Sequence, residues 1–199
     1  MSNQATVKEV EKKARSTLRQ DGLATFVAGV AFAIMAPFFL DDRLGFLLIL
    51  GTGLYVFLPA LLRRRFVYPR IGYVKFKEKK TKPWKLLVST VILVLFVIVL
   101  KLNAYNWLLP LYLGAVFGVI ALAIGYLYKT VVEYFLAGVI LLSGIGGLIV
   151  TMHGNDPGAI AAFQLWLLAA VMVLVGAAQF IIFIQKNPLT KEHVNEAAG

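Results

Sequence analysis

The chain has no cysteine at all. Thiolate nucleophiles, disulfides and thiolate metal sites are therefore excluded, and cysteine usage says nothing about redox compartment. Histidine is nearly as scarce, with only His153 and His193. Charge is the third shortage: 15% of the 199 residues are Asp, Glu, Lys or Arg, against roughly a quarter in a soluble domain. Acids are the rarer sign, ten against twenty Lys and Arg. With 60% hydrophobic residues and a mean hydropathy of +0.81, the chain reads as an integral membrane protein.

What is present is a series of long uncharged runs. Met1 to Gln20 is polar, with Val7, Val10, Ala14 and Leu18 on one narrow helical stripe and Lys8, Lys12, Arg15 and Arg19 on another. This predicts a short cytoplasmic amphipathic helix over 1–22, broken at Asp21-Gly22; with no A-x-A-like site after an early apolar run, it does not read as a signal peptide. Leu23 to Leu40 and Leu44 to Leu62 follow as two spans joined by Asp41, Asp42 and Arg43, each close to the roughly 20 residues that cross about 30 Å of hydrocarbon. After a basic loop over 63–85, Leu86 to Leu100 is a third span; its Val and Ile favour strands in water, but a lone segment in lipid must satisfy its own backbone and so be helical. Trp107 to Leu127 is the fourth, Tyr134 to Met152 the fifth, and Phe163 to Ile184 the sixth. Lys129 and Glu133 mark one turn and His153 to Gly158 another. The expected fold is all-α, six transmembrane helices as three hairpins (23–62, 86–127 and 128–184), with a cytoplasmic tail over 185–199.

Orientation follows from the basic residues. With the N-terminus in the cytoplasm, eighteen of the twenty Lys and Arg fall inside and only Arg43 and Lys101 outside. That asymmetry predicts cytoplasmic N- and C-termini. A net charge of +10 would suggest nucleic acid in a soluble chain; beside apolar spans it is accounted for by topology and anionic lipid.

Small residues suggest how the helices meet. Gly114 and Gly118 form a GxxxG pair, Ser143 and Gly147 a related one, with Gly125, Gly144 and Gly146 nearby. Such residues let backbones approach, which predicts that the fourth and fifth spans pack together, or that they form a homodimer face. Phe26 to Val30 resembles Phe135 to Val139, but over five residues only, too short to establish a repeat.

Catalytic chemistry finds little footing. No proposed apolar core contains Asp, Glu, Lys, Arg or His, which disfavours proton relays and charged-substrate paths. Ser143-Gly144 lacks the preceding glycine of intramembrane serine proteases, since Leu141 stands there, and no span supplies a histidine base. Asp41, Asp42, His153 and Asp156 could meet on the outer side around a cation, although solvated turn residues are the plainer reading. No cofactor or metal is expected. Thr52, Tyr55, Ser143 and Gln179 are the polar residues that could line a path for a neutral or lipid-like substrate, should the protein be a small transporter or channel; the plainer role is a bond to a carbonyl one turn back or to a neighbouring helix for the hydroxyls, and interhelical bonding for Gln179.

The basic loop carries the main functional expectation. Ten of the Lys and Arg lie between Arg63 and Lys85, interleaved with Phe66, Tyr68, Tyr73, Phe76 and Trp84 and opposed by Glu78 alone. Tyr68-Pro69-Arg70-Ile71-Gly72 has turn residues between extended-chain formers, which predicts a small β-hairpin or an extended loop on the membrane surface. Arginine supplies a forked donor for phosphate or carboxylate, and tyrosine an amphipathic anchor. The expected contacts are Tyr68, Arg70 and Tyr73, supported by Arg64, Arg65 and Lys75, docking anionic lipid headgroups of the cytoplasmic leaflet or a cytosolic or membrane protein. Arg65-Phe-Val-Tyr-Pro-Arg-Ile-Gly-Tyr73 resembles the R-x-x-Y-P-R-x-G-Y signature of small, largely uncharacterised prokaryotic multi-span membrane proteins, which also have an acidic-Gly pair such as Asp21-Gly22 before the first span. That resemblance covers about the first 80 residues and implies a prokaryotic inner membrane; it implies no activity.

Overall fold

The computed structural model describes residues 21–71, 107–128 and 131–188. The expected N-terminal amphipathic helix, the third span Leu86 to Leu100, the loop from Gly72 to Lys85 and the tail after Pro188 lie outside them. The described residues are helical, with no strand among them. Helix α1 is Leu23–Met35 and α2 is Phe46–Leu62. A π-helical turn, Arg63–Val67, joins α2 to the short α3, Tyr68–Ile71. Then come α4, Leu109–Tyr128, α5, Val131–Met152, and α6, Pro157–Lys186. Four stretches are long and apolar enough to cross a membrane: Asp42–Arg70, Leu109–Tyr126, Val131–Met152 and Pro157–Lys186; the run Leu23–Phe39 is shorter.

Several boundaries differ from the sequence reading. The first span stops being α-helical at Met35 and tightens into a 3-10 turn over Ala36–Phe39, where Pro37 has no N–H to continue the ladder. A second 3-10 turn, Asp42–Gly45, takes in Leu44, and Asp41 caps it by accepting from the Arg43 N–H at 2.9 Å. At the far end α6 starts six residues earlier than expected, because Asp156 accepts from the Ala159 N–H at 2.8 Å and Pro157 fits the first helical position.

The main correction concerns the predicted hairpin or extended loop. Tyr68 to Ile71 is helical, so the chain after α2 runs on through the π-helical turn as one rod to Ile71. Turn residues mislead here because Pro69 follows directly on a π-helical turn, where the Tyr68 N–H already bonds the Arg63 carbonyl five residues back and the ladder changes without ending the helix.

Packing does not follow sequence-adjacent hairpins alone. Helix α1 lies along both α2 and α6, and α4 lies along α5, a pairing across two of the expected hairpins. Glycine makes the α4–α5 approach close: a methyl at Gly114 would sit 2.6 Å from the Gly144 Cα, and one at Gly147 2.6 Å from the Pro110 Cβ. The small residues at helical spacing thus serve a contact within the chain, while Gly146, grouped with them by sequence, faces open space. Phe32 of α1 meets Phe117 of α4 with ring centroids 4.8 Å apart, over a core that includes Ala121, Ala137, Ile140 and Leu168. Gly29 lets α1 touch the α6 backbone, since a methyl there would lie 2.8 Å from the Ala169 carbonyl oxygen.

Candidate functional site

The first residues of α1, the end of the α2 rod and the end of α6 converge at one end of the bundle. Leu23, Val67 and Phe183 are buried there, with Leu62, Tyr68, Phe180 and Ile184 packed around them. The polar centre of this cluster is Asp21, whose side chain is fully buried. Its carboxylate accepts from the Leu23 N–H at 2.9 Å, from Arg63 Nε at 2.6 Å and from Arg63 Nη2 at 3.3 Å. One acid thereby satisfies an open N–H at the start of α1 and ties α1 to the α2 rod through Arg63, 42 residues later. Gly22 makes the geometry possible, with φ +73° and a contact so close to Gly176 and Gln179 of α6 that no β-carbon fits.

Sequence reasoning missed the Asp21–Arg63 pair. By sequence Asp21 reads as a helix breaker and Arg63 as the first charge of a loop. A signal was nonetheless present: Asp21 immediately precedes one apolar run and Arg63 immediately follows the next, and in an antiparallel pair those positions share an end.

Of the expected docking residues, Arg70 is drawn inward, donating from Nη1 to the Asn187 carbonyl at 3.1 Å. Tyr68 is half-buried against the Leu23–Val67–Phe183 cluster. Arg64 and Arg65 are exposed, and neither pairs with an acid among the described residues. Tyr73 and Lys75 lie outside the described residues. Phe66 reaches back to Phe180, edge to face, with centroids 6.2 Å apart. The wide turn Arg63–Val67 thus sends Arg63 inward and the next two guanidinium groups outward.

The residues named for a transport path make separate contacts. Thr52 donates to the Leu48 carbonyl at 2.7 Å, Tyr55 is 44% exposed on the outside of α2, and Ser143 donates to the Ile140 carbonyl at 2.8 Å. Gln179 packs against Gly22. None of the four bonds to another of the four. Ser143 instead accepts from Gln164 Nε2 at 3.2 Å, which joins α5 to α6. The Oε1 atoms of Gln164 and Gln179 are buried with no hydrogen-bond partner among the described residues. At the opposite end of the bundle, Asp41 and Asp156 cap their own turns and His153 Nδ1 donates to the Ile149 carbonyl at 2.7 Å. No three His, Asp or Glu residues gather into a metal-holding group among the described residues.

No protein family, curated protein or solved structure matches this chain. Its reading therefore rests on the residues themselves. Among the described residues it is an all-helical protein with four helices fit to span a membrane.

Proposed function

We propose that the chain is a non-catalytic integral membrane protein of six spans, with both termini in the cytoplasm of a prokaryotic cell, whose basic cytoplasmic end docks anionic lipid headgroups. The observation that carries this reading is the division of labour among the arginines. Arg63 and Arg70 hold the end of the bundle together, while adjacent Arg64 and Arg65 face outward with no acid partner among the described residues. Two outward guanidinium groups at the end of an apolar rod suit a phosphate oxygen at the edge of the hydrocarbon.

The six-span topology draws support from the ends of the rods. Ile71 belongs to the Asp21–Asn187 end, whereas Leu109 packs with Ala161 and Phe39 at the other. The apolar run Leu86 to Leu100 stands between them in sequence. With the positive-inside bias, the Arg63 end faces the cytoplasm.

The test is binding of a short-chain phosphatidylglycerol to the purified protein in mild detergent, with phosphatidylcholine of the same chains as control. Saturable binding of the anionic lipid is expected. Replacing Arg64 and Arg65 together by Gln should weaken it roughly thirtyfold, at about 1 kcal/mol per basic residue near an anionic headgroup. Equal binding of both lipids, or an unchanged affinity in the variant, would refute the proposal.

A further inference from the structure

The apolar surface below Arg64 and Arg65 is the barest of the long helices among the described residues. Only 11% of the most apolar window of Asp42–Arg70 is buried, against 39%, 33% and 28% for the windows in α4, α5 and α6. Along this rod Leu50, Phe57 and Arg64 recur every seven residues, two helical turns apart, and Leu61 lies beside them at the four-residue spacing. Leu50, Phe57 and Leu61 are 49%, 70% and 60% exposed. The stripe has a gap at Gly53, where a β-carbon would meet nothing within 4 Å. At 1.5 Å per residue the gap lies about 16 Å below Arg64, roughly half the thickness of a hydrocarbon core. Helical side chains lean toward the N-terminus, so the guanidinium groups of Arg64 and Arg65 lie over the Leu61 end of the stripe.

We infer that this face is a lengthwise seat for one anionic diacyl phospholipid. Its phosphate is held by Arg64 and Arg65, one acyl chain lies over Leu61 and Phe57, and the chain end enters the notch at Gly53. Charge selects the occupant. The other long helices are also apolar, and hydrocarbon against hydrocarbon gives no preference, so selection comes from two cations that pair with no acid among the described residues, set at headgroup height above a groove one leaflet deep. The inference rests on the reading of the basic end as a headgroup dock and adds the position and length of the bound lipid.

Photocrosslinking tests it. The protein is reconstituted in nanodiscs containing phosphatidylglycerol with a diazirine at an acyl-chain end, and in parallel with phosphatidylcholine bearing the same chain; labelled residues are mapped by peptide sequencing. Labelling from the anionic lipid is expected to concentrate between Leu50 and Phe57. There it should exceed labelling from phosphatidylcholine by about thirtyfold, the ratio that two headgroup contacts of ordinary strength give. The R64Q/R65Q variant should abolish that excess. Gly53→Leu, whose side chain enters open space and leaves packing intact, should shift the label away from the notch. Even labelling over all exposed faces, Leu142 and Leu174 included, would overturn the seat; the headgroup dock would still stand if short-chain phosphatidylglycerol binds as proposed. An unchanged pattern in R64Q/R65Q or in Gly53→Leu would also overturn it.

Discussion

Replacing Asp21 by Ala should unfold the protein at markedly lower denaturant. Two contributions are lost. The Leu23 N–H loses its 2.9 Å acceptor, worth about 1 kcal/mol for a capping side chain. Arg63 loses a charge-assisted pair, worth roughly 1.5–3 kcal/mol when desolvated. The second figure must be reduced, because the Arg63 side chain is 23% exposed and regains water when released. The expected total is about 2–3 kcal/mol. Asp21→Asn, which keeps an oxygen for the Leu23 N–H, should lose about 1–2 kcal/mol, the ionic part alone. Unfolding in mixed micelles of increasing SDS fraction, followed by the fluorescence of the three tryptophans, measures both. Exposed Asp42→Asn is the control, expected within about 0.5 kcal/mol of wild type. A double-mutant cycle with Arg63→Gln should give a coupling of about 1–2 kcal/mol. If Asp21→Ala matches the control, or the two substitutions are additive, the pair is ornamental and the account of this end of the bundle fails.

Four further outcomes follow from the same geometry. Gly144→Ala should destabilise by about 1–3 kcal/mol through overpacking against Gly114, whereas Gly146→Ala, facing open space, should be neutral in the same SDS titration. Gly22→Ala should be more damaging than either, combining a strained positive φ with a clash against α6, and should lower the yield of monodisperse protein in size-exclusion chromatography. The paired change Gln164→Leu with Ser143→Ala should be neutral or stabilising, because it removes a buried oxygen with no partner, whereas Ser143→Ala alone should be destabilising by about 1 kcal/mol. Since the chain has no cysteine, single Arg65→Cys and Asp42→Cys variants allow topology to be read with an impermeant maleimide on intact cells: Asp42→Cys should label from outside and Arg65→Cys only after lysis.

Which parts were legible in the sequence depended on how local their cause was. The four long apolar helices were readable because length and hydropathy are properties of a single run, and the α4–α5 contact because Gly114 and Gly118 place two small residues on one helix face. The helical course of Tyr68 to Ile71 was not, since Pro69 has the same local signature whether it makes a turn or continues a rod after a change in helical bonding. The Asp21–Arg63 pair was hidden for another reason: it joins residues 42 apart, and only the antiparallel arrangement of two helices brings them together. Arg70 shows the limit of reading charge as exposure. Its type and place in a basic stretch suggested an outward contact, whereas the nearby C-terminus of α6 offers a carbonyl that draws it in.

The pairing of α1 with α6 has a consequence for how the protein is made. Helix α1 leaves the ribosome well before α6, yet the groove that receives Gly22 and Gly29 belongs to α6. At 5–20 residues per second, roughly 7–30 s separate the emergence of Leu40 from that of Lys186. Among the described helices α2 is the first neighbour to join α1, before α4 brings Phe117 to Phe32 and α6 closes the groove. The Asp21–Arg63 bond requires nothing beyond Arg63, so it can join α1 and α2 early and keep a carboxylate from facing lipid alone until α6 closes over it.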